Sequence, residues 1–158
     1  MATFVVPFKR NGKTRLGDPE VAWAMFLDVQ AACAPLGEVL LCDAPGGQGP
    51  AVAAALEEIS GLVAVVNADV PCVTTRELEL LLAAAPALVA AADGTTNALA
   101  LEAAQEFRPL YGPGSAARFG LASLDLPGLR DDVDTWEDLR RLADRVGPYT
   151  RRAVEVRV

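Results

Sequence analysis

Residues 62–71 read LVAVVNADVP, an apolar run that ends in an acidic turn. An uninterrupted apolar run of this length is typical of a central parallel strand that helices cover on both faces. In open α/β sheets, ligands bind beyond the carboxyl ends of the strands, and this strand would deliver Asp69 to such an end. A carboxylate there suits a Mg²⁺ ion that bridges phosphate oxygens, whereas the simpler interpretation is a turn or a helix cap. The stretch therefore predicts an α/β fold with a candidate metal ligand at the sheet edge.

Outward from this strand, apolar runs alternate with segments of helical spacing. The predicted strands span residues 3–7, 38–42, 62–66, 88–92 and 97–101, with further short ones at 123–126 and 153–158. The predicted helices span residues 20–34, 50–59, 74–85 and 135–146, with a short one that begins at Ser115. In the first helix Asp28 falls outside the apolar stripe and is expected to face solvent. The alternation predicts a three-layer α/β/α sandwich with a mostly parallel sheet, formed as one domain from residues 1–158.

The composition narrows the chemistry that this chain can perform. It has 158 residues, a net charge of −7, three cysteines and no histidine. The lack of histidine excludes Ser-His-Asp and Cys-His triads, histidine-ligated zinc and a histidine general base. A metal would have to be held by carboxylates, which favour hard cations such as Mg²⁺ or Mn²⁺. The acidic balance also argues against broad nucleic-acid binding, which needs a basic face.

The cysteines indicate the compartment in which the protein works. Cys33, Cys42 and Cys72 have no CxxC spacing and stand beside apolar residues, so we expect buried free thiols. We expect neither a secretory leader nor a membrane span, because no apolar stretch has the required flanks or length. These features predict a cytoplasmic protein with no membrane partner.

A basic loop follows the first predicted strand. Residues 8–16 read FKRNGKTRL, and no acid stands among Lys9, Arg10, Lys13 and Arg15. Guanidinium forks and lysine point charges match phosphate oxygens, so the loop is a candidate phosphate clamp. The competing interpretation is a solvated surface loop. The GxxxxGK[ST] spacing of a Walker loop is missing, which excludes that kind of phosphate site.

Three further loops carry glycine or small polar residues at the ends of predicted elements. Their segments are GGQG at 46–49, GTTN at 94–97 and YGPGS at 111–115. The first opens a helix, whose amino end favours an anion, and this makes Gly47, Gln48 and Gly49 candidate nucleotide-binding residues. The second offers hydroxyls and an amide, and the third can form a nest of backbone amides. Each of the three is also compatible with an ordinary turn.

An acidic segment precedes the helix predicted at 135–146. Residues 131–139 read DDVDTWEDL, and Thr135 with Asp138 has the spacing of a capping box. A capping box leaves Asp132 and Asp134 unexplained. Two acids two residues apart in an extended segment point the same way and repel each other unless a cation joins them. The segment therefore provides candidates for a second metal ligand.

Taken in order, these motifs resemble those of one known family. A VPFKRNGKTRL-like start is followed by NADVP, GTTNALAL, YGPGSAARF and DDVDTWEDL, as in the 2-phospholactate or phosphoenolpyruvate guanylyltransferases of coenzyme F420 biosynthesis. The resemblance runs from Phe4 to Leu139, and GTTNAL with GPGS points to this family rather than to nucleotidyltransferases in general. It implies the Rossmann-like fold that molybdenum-cofactor guanylyltransferases share with nucleotide-diphospho-sugar transferases. The chain is short for the family, which implies trimmed surface loops.

The resemblance also implies a reaction and a set of site residues. GTP and a phosphorylated three-carbon acid, namely 2-phospholactate, phosphoenolpyruvate or 3-phosphoglycerate, would give a guanylyl diphospho-acid and pyrophosphate. The catalyst then supplies positioning and charge neutralisation, with no protein nucleophile. The implied residues are Lys9, Lys13 and Arg15 for the triphosphate; Asp69, then Asp134 and more weakly Asp132, for Mg²⁺; and Thr96, Asn97, Gly112 and Ser115 for the phospho-acid.

Two alternatives remain open at this point. The first is another nucleotidyltransferase of the same superfamily, with a sugar phosphate or molybdopterin as acceptor. The compact glycine and hydroxyl loops argue against it, because a bulky acceptor does not need a small anion nest. The second is a non-catalytic nucleotide-binding relative, against which the presence of both Asp69 and Asp134 argues. A homodimer is also conceivable, because the strand predicted at 153–158 can pair with another edge.

Overall fold

The computed structural model describes residues 1–8, 15–43 and 47–157 of the chain. Its strands are β1 (Ala2–Pro7), β2 (Gly37–Cys42), β3 (Val63–Val66), β4 (Ala87–Ala90), β5 (Thr96–Leu101) and β6 (Ala122–Ser123). Its α-helices are α1 (Pro19–Cys33), α2 (Gln48–Leu56), α3 (Thr75–Ala83), α4 (Ser115–Phe119), α5 (Pro127–Arg130), α6 (Trp136–Arg141) and α7 (Pro148–Glu155). Short 3-10 turns occupy Ala34–Leu36 and Ala104–Glu106.

The strands form one six-stranded sheet in the order β2-β1-β3-β5-β4-β6. The pairs β2–β1, β1–β3 and β4–β6 are parallel, whereas β5 is antiparallel to both β3 and β4. Five of the six strands described therefore run the same way, which confirms the mostly parallel sheet. All four residues of β3 are buried at the centre of the sheet, as the apolar run at 62–66 predicts.

Helices cover both faces of the sheet, which confirms the three-layer sandwich. On one face α1, α3 and α5 pack on side chains such as Phe4 and Val66. On the other face α2 and the segment that contains α4 pack on side chains such as Val65 and Leu99. A third apolar cluster joins α1 to α6 and to the turn before α7. The alternation of side chains along each strand supplies both faces with apolar groups.

The arrangement brings three chain segments together at one edge of the sheet. β3 ends at this edge, and the reversed strand β5 begins there, so that the Asn67 amide donates to the Asn97 carbonyl at 2.9 Å. The Val133 amide donates to the Asp69 carbonyl at 2.8 Å, which joins the segment before α6 to the loop after β3. The carboxyl edge predicted to carry the site is therefore the place where these segments meet.

The prediction of a strand at residues 153–158 is wrong. Residues up to Glu155 lie in α7, and Val158 lies outside the described residues. Pro148 occupies the first turn of α7, where its missing N–H costs no hydrogen bond. Residues 153–155 form the end of this helix, so the described part of the segment contains no edge strand of the kind that suggested a homodimer.

The expectation that Asp28 faces solvent is also wrong. Asp28 is only 5% exposed, and its carboxylate accepts from the Tyr149 amide at 3.1 Å and the Thr150 amide at 2.8 Å. These amides belong to the first turn of α7, which has no side-chain cap of its own. A carboxylate at a helix amino end is favourable for both the dipole and the unpaired amides. The two errors are connected, because the partner of Asp28 is the amino end of α7, the helix whose last residues were predicted as a strand.

Other predictions agree with the structure in kind and differ in extent. The capping box expected at Thr135 starts α6, which is shorter than the predicted helix 135–146, and a capping box of Thr74 with Glu77 starts α3. The strand predicted at 123–126 is reduced to β6. Cys33, Cys42 and Cys72 are buried free thiols. In the part of the chain that the structure describes, no helix is long and apolar enough to span a bilayer.

Candidate active site

The predicted phosphate clamp is described only where it ends. Lys9 and Lys13 lie outside the described residues. Arg15 is exposed, and its Nε lies 3.5 Å from Asp134 Oδ2. The indole Nε1 of Trp136 donates to the Leu16 carbonyl at 3.1 Å, which ties the end of the loop to the start of α6. The basic loop therefore ends beside the acidic segment that the sequence singled out.

Asp69 lies at the carboxyl edge with an unsatisfied carboxylate. The residue as a whole is partly exposed, but its Oδ1 is fully buried and has no hydrogen-bond partner. Burial, followed by the charges of Asp132 and Asp134, raises the pKa of Asp69 to about 7. A buried carboxylate oxygen without a donor is costly unless a ligand or an ion completes it. This orphan atom is the clearest sign of a binding site at the edge.

The two acids predicted to assist Asp69 differ in their surroundings. Asp132 is partly buried, and its Oδ1 accepts from Asn97 Nδ2 at 3.2 Å. Burial raises the pKa of Asp132, and the hydrogen bond from Asn97 offsets part of that rise. Asp134 is more exposed and is paired with Arg15. Of the two carboxylates, Asp132 acts more strongly on Asp69, which favours it as the closer partner.

The predicted nucleotide loop opens α2 as expected. Gly47 stands at the N-cap with φ of 101°, which favours glycine, and no side chain caps the helix. The first helical positions are Gln48 and Gly49, whose amides have no partner within the helix. Gly49 also packs against Pro109, because an added Cβ would lie 3.0 Å from the Pro109 Cβ. The amino end of α2 therefore presents amide donors near the site.

A chain of amide side chains, which sequence reasoning missed, crosses the site. Gln48 Nε2 donates to Asn67 Oδ1 at 2.6 Å. Asn67 Nδ2 in turn donates to the Thr96 carbonyl at 3.1 Å and lies 3.4 Å from Asn97 Oδ1. Asn67 stands two residues before Asp69 in the NADVP motif, but nothing in a single sequence shows which partner its amide finds.

The hydroxyls of the predicted acid-binding set are brought together. Thr96 and Ser115 are both buried, and their hydroxyl oxygens are 2.8 Å apart. One of the two protons is used in this contact, and the pairing leaves the other for a further acceptor. The amide of Ser115 donates to the Gly112 carbonyl at 3.0 Å. Because that amide is occupied, the hydroxyls rather than a nest of free backbone amides are the donors at this point.

Arg118 holds the glycine-containing loop in place. Its guanidinium donates to the carbonyls of Leu110 at 3.0 Å, Tyr111 at 3.5 Å and Pro113. Gly112 and Gly114 have φ of 119° and 72°, conformations that favour glycine. The loop before Ser115 is therefore shaped by one arginine of α4.

Asn97 does not face the same element as Thr96. β5 carries a bulge at this point, because Val89 pairs with Ala98 and Ala90 pairs with Thr96. The extra residue re-aims Asn97 toward α5, whereas Thr96 contacts α4. Asn97 Nδ2 donates to the carbonyls of Leu129 and Arg130 at 2.9 and 3.0 Å.

The residues present fit a divalent cation that is shared with a substrate. No group of three or more carboxylates or thiolates that could hold a metal exists in the described ranges. Mg²⁺ is commonly bound by one or two carboxylates, with waters and substrate phosphates completing the octahedron. Asp69, whose Oδ1 has no partner, and Asp132, whose charge raises the pKa of Asp69, are the candidates for such a pair.

Curated proteins of related sequence share one name, phosphoenolpyruvate guanylyltransferase. The protein of that name from Streptomyces scabiei (strain 87.22) is 34% identical over 204 residues, which cover 96% of this chain and 94% of the relative. The one from Streptomyces coelicolor is 39% identical over 198 residues, with coverage of 94% and 93%. Both alignments are longer than this chain, which confirms that it lacks segments present in its relatives. No protein-family model matches the chain.

Solved structures support the fold. A putative nucleotide-diphospho-sugar transferase from Desulfovibrio desulfuricans G20 superposes with a TM-score of 0.74 at 17% identity, over 98% of this chain and 94% of that one. A CMP:2-keto-3-deoxy-manno-octonic acid synthetase in complex with CTP superposes with a TM-score of 0.52 at 12% identity, over 99% of both chains. The expected Rossmann-like transferase fold is confirmed.

Proposed function

The chain belongs to the phosphoenolpyruvate guanylyltransferase family, and we propose that it transfers GMP from GTP to a phosphorylated three-carbon acid and releases pyrophosphate. Phosphoenolpyruvate is the first candidate acid, because it appears in the names of the relatives. The observation that carries the proposal is the buried, unpartnered Oδ1 of Asp69 at the edge where α2, β5 and the Thr96–Ser115 pair meet. Such an edge suits one cation and two phosphorylated substrates.

The nucleotide would bind between the basic loop and the amino end of α2. Gln48 and Gly49 offer backbone amides to phosphate oxygens, because the first turn of a helix leaves these donors free. Lys9, Lys13 and Arg15 are proposed to neutralise the triphosphate. Arg15 would then exchange its contact with Asp134 for a phosphate, which an exposed ion pair allows at little cost.

Asp69 and Asp132 are the proposed ligands of a Mg²⁺ ion, and Asp134 is placed beside Arg15 instead. This order reverses the ranking of the two acids that the family resemblance implied. When bound, the ion neutralises phosphate charge and polarises the phosphoryl group under attack. Asp69 would accept that ion in place of the hydrogen bond that its Oδ1 lacks.

The acceptor acid is proposed to bind at Thr96, Gly112 and Ser115. The free hydroxyl proton of the Thr96–Ser115 pair can be donated to a phosphate or carboxylate oxygen. Arg118 fixes the loop that carries Gly112 and Ser115. These residues would hold one acceptor phosphate oxygen in line with the α-phosphorus. A new P–O bond then forms as the bond to the leaving pyrophosphate breaks, and no protein nucleophile is needed.

A pyrophosphate-release assay tests the proposal. Purified protein with Mg²⁺ is given each of the four nucleoside triphosphates together with phosphoenolpyruvate, 2-phospholactate or 3-phosphoglycerate. We expect release with GTP and one of the acids, and none when either substrate or the metal is omitted. If folded protein turns over no pair, the proposed transfer is refuted and the nucleotide-binding relative is favoured.

Location and assembly remain predictions. The three free, buried thiols support a cytoplasmic location, because disulfides are rare there. The predicted homodimer was based on an edge strand, and the structure has helix α7 at that position as far as Glu155. Light scattering after size-exclusion chromatography measures the mass in solution against the 16.6 kDa of one chain.

A further inference from the structure

Both N–H donors of the Asn97 side chain form hydrogen bonds to groups outside the proposed acid site. Its Nδ2 faces three oxygens, the Leu129 carbonyl at 2.9 Å, the Arg130 carbonyl at 3.0 Å and Asp132 Oδ1 at 3.2 Å. A primary amide carries two protons, so no donor is left for a ligand. The reverse orientation of the amide would set Oδ1 against the same three acceptors, which fixes the nitrogen on this side.

The other end of the same amide is tied to the nucleotide loop. Asn97 Oδ1 lies 3.4 Å from Asn67 Nδ2, and Asn67 Oδ1 accepts from Gln48 at the start of α2. One line of side-chain contacts therefore runs from Gln48 through Asn67 and Asn97 to Asp132. Networks of this kind hold a carboxylate in one orientation when every member is satisfied.

We propose that Asn97 is a positioning residue for the Asp132 carboxylate, and not a ligand of the acceptor acid. The bulge in β5 makes this contact possible, because it turns the Asn97 side chain toward α5, whereas the neighbouring Thr96 contacts Ser115. Asn97 donates to one oxygen of Asp132 and leaves the other oxygen to a cation that Asp69 shares. This inference rests on the proposed function for the identity of the substrates, but the orientation of Asp132 is a property of the folded chain alone.

The test compares Asn97→Ala with Ser115→Ala by two readouts. The first is Mn²⁺ affinity in the presence of GTP without acid, measured by electron paramagnetic resonance. The second is the KM for the acid and for GTP. For Asn97→Ala we expect Mn²⁺ binding to weaken about tenfold or more, as for other residues that orient a metal ligand, with the acid KM within about twofold of wild type. For Ser115→Ala we expect the reverse pattern, an acid KM that rises more than the GTP KM while Mn²⁺ affinity is unchanged.

A double-mutant cycle shows whether Asn97 acts through Asp132. In an Asp132→Ala background, Asn97→Ala should weaken Mn²⁺ binding by no more than about twofold, because the carboxylate that it orients is gone. A full additive loss in that background would overturn the proposal. So would a raised acid KM in Asn97→Ala with unchanged Mn²⁺ affinity, or no change in either quantity.

A second variant covers the case in which Asn97→Ala does not fold. Asn67→Ala removes the donor to Asn97 Oδ1 and leaves the bonds of Asn97 to α5 in place. We expect Mn²⁺ affinity to fall about threefold with the acid KM unchanged, and unchanged Mn²⁺ affinity in folded Asn67→Ala would overturn the proposal. If wild-type protein turns over none of the substrates, the proposed function fails. The Mn²⁺ measurements on wild type and variants still decide the role of Asn97.

Discussion

Replacement of Asp69 by asparagine should abolish catalysis and at the same time stabilise the metal-free protein at alkaline pH. The pKa of Asp69 rises from 3.8 to about 7 on folding, chiefly because burial disfavours the charged carboxylate and Asp132 repels it. A carboxyl whose pKa is raised by folding makes its full contribution to the free energy of unfolding below its pKa in the unfolded chain. That contribution is lost as the pH rises through its pKa in the folded protein. The ionised carboxylate therefore opposes folding above pH 7.

The pKa shift of Asp69 determines how much the ionised carboxylate lowers the free energy of unfolding. One pKa unit is about 1.4 kcal/mol, so the complete cost of ionised Asp69 is about 4 kcal/mol as an upper bound. Part of this cost is already present in mildly acidic solution, because the unfolded carboxyl is ionised there. Between pH of about 5.5 and about 8.5, the advantage of Asp69→Asn over wild type should grow by about 2 kcal/mol. The lower limit stays above the isoelectric point of 4.6, near which solubility is poor.

Urea unfolding in the presence of EDTA, followed by tryptophan fluorescence, measures this difference. The change between the two pH values is the useful quantity, because it cancels the constant contribution of the new side chain. Asp144→Asn, at an exposed position, is the matched control and should show almost no pH-dependent difference. A difference between Asp69→Asn and wild type that stays the same at both pH values would refute the buried-charge argument. Wild-type pyrophosphate release by Asp69→Asn would refute the metal assignment.

Three further substitutions test the cap of α7, the contact between β1 and β2, and the loop before Ser115. Asp28→Ala should lower the free energy of unfolding by about 2–3 kcal/mol, because two amides at the start of α7 lose a charged acceptor; a loss below about 0.5 kcal/mol in urea titration would contradict this. Gly37→Ala should cost about 3 kcal/mol, since its Cβ would lie 1.9 Å from the Ala2 carbonyl oxygen, and an unchanged thermal midpoint would speak against it. Arg118→Ala should raise the acid KM about fivefold by releasing the loop before Ser115, with the GTP KM unchanged; equal effects on both substrates would show that the loop serves no one substrate.

Much of the candidate site could be predicted from local sequence. Asp69 was expected at the ligand-binding edge, because the apolar run before it predicts a central strand and ligands bind beyond the carboxyl ends of such strands. Thr96 and Ser115 were expected to work together, and their hydroxyls are in contact. The family resemblance assigned Asn97 to the same ligand as Thr96. Neighbouring residues of a regular strand already point to opposite faces, and the bulge decides that Asn97 is the one that faces α5. The bulge depends on the register of β4 against β5, which no local pattern reveals.

The errors of the sequence interpretation also have a physical cause. The segment at 153–158 alternates apolar and polar residues over too short a distance to distinguish a strand from one side of a helix. Residues 153–155 lie in α7 instead, and the amino end of that helix is stabilised by Asp28, which lies more than a hundred residues earlier. For the same reason Asp28 could not be recognised as a buried acceptor, since its two donors belong to the helix that it caps.

By itself, the sequence determined the class of chemistry and the architecture. The absence of histidine excluded histidine-based catalysis, and the alternation of apolar runs with helical segments determined a three-layer sheet protein, because both depend on residue type and short spacing alone. The tertiary structure decided which side chains share a partner. It left Asp69 Oδ1 without a donor, turned Asn97 to Asp132 and buried Asp28 beneath α7. These outcomes required the final positions of segments far apart in the chain, and hydrogen bonds between such segments leave no periodic signal in the sequence.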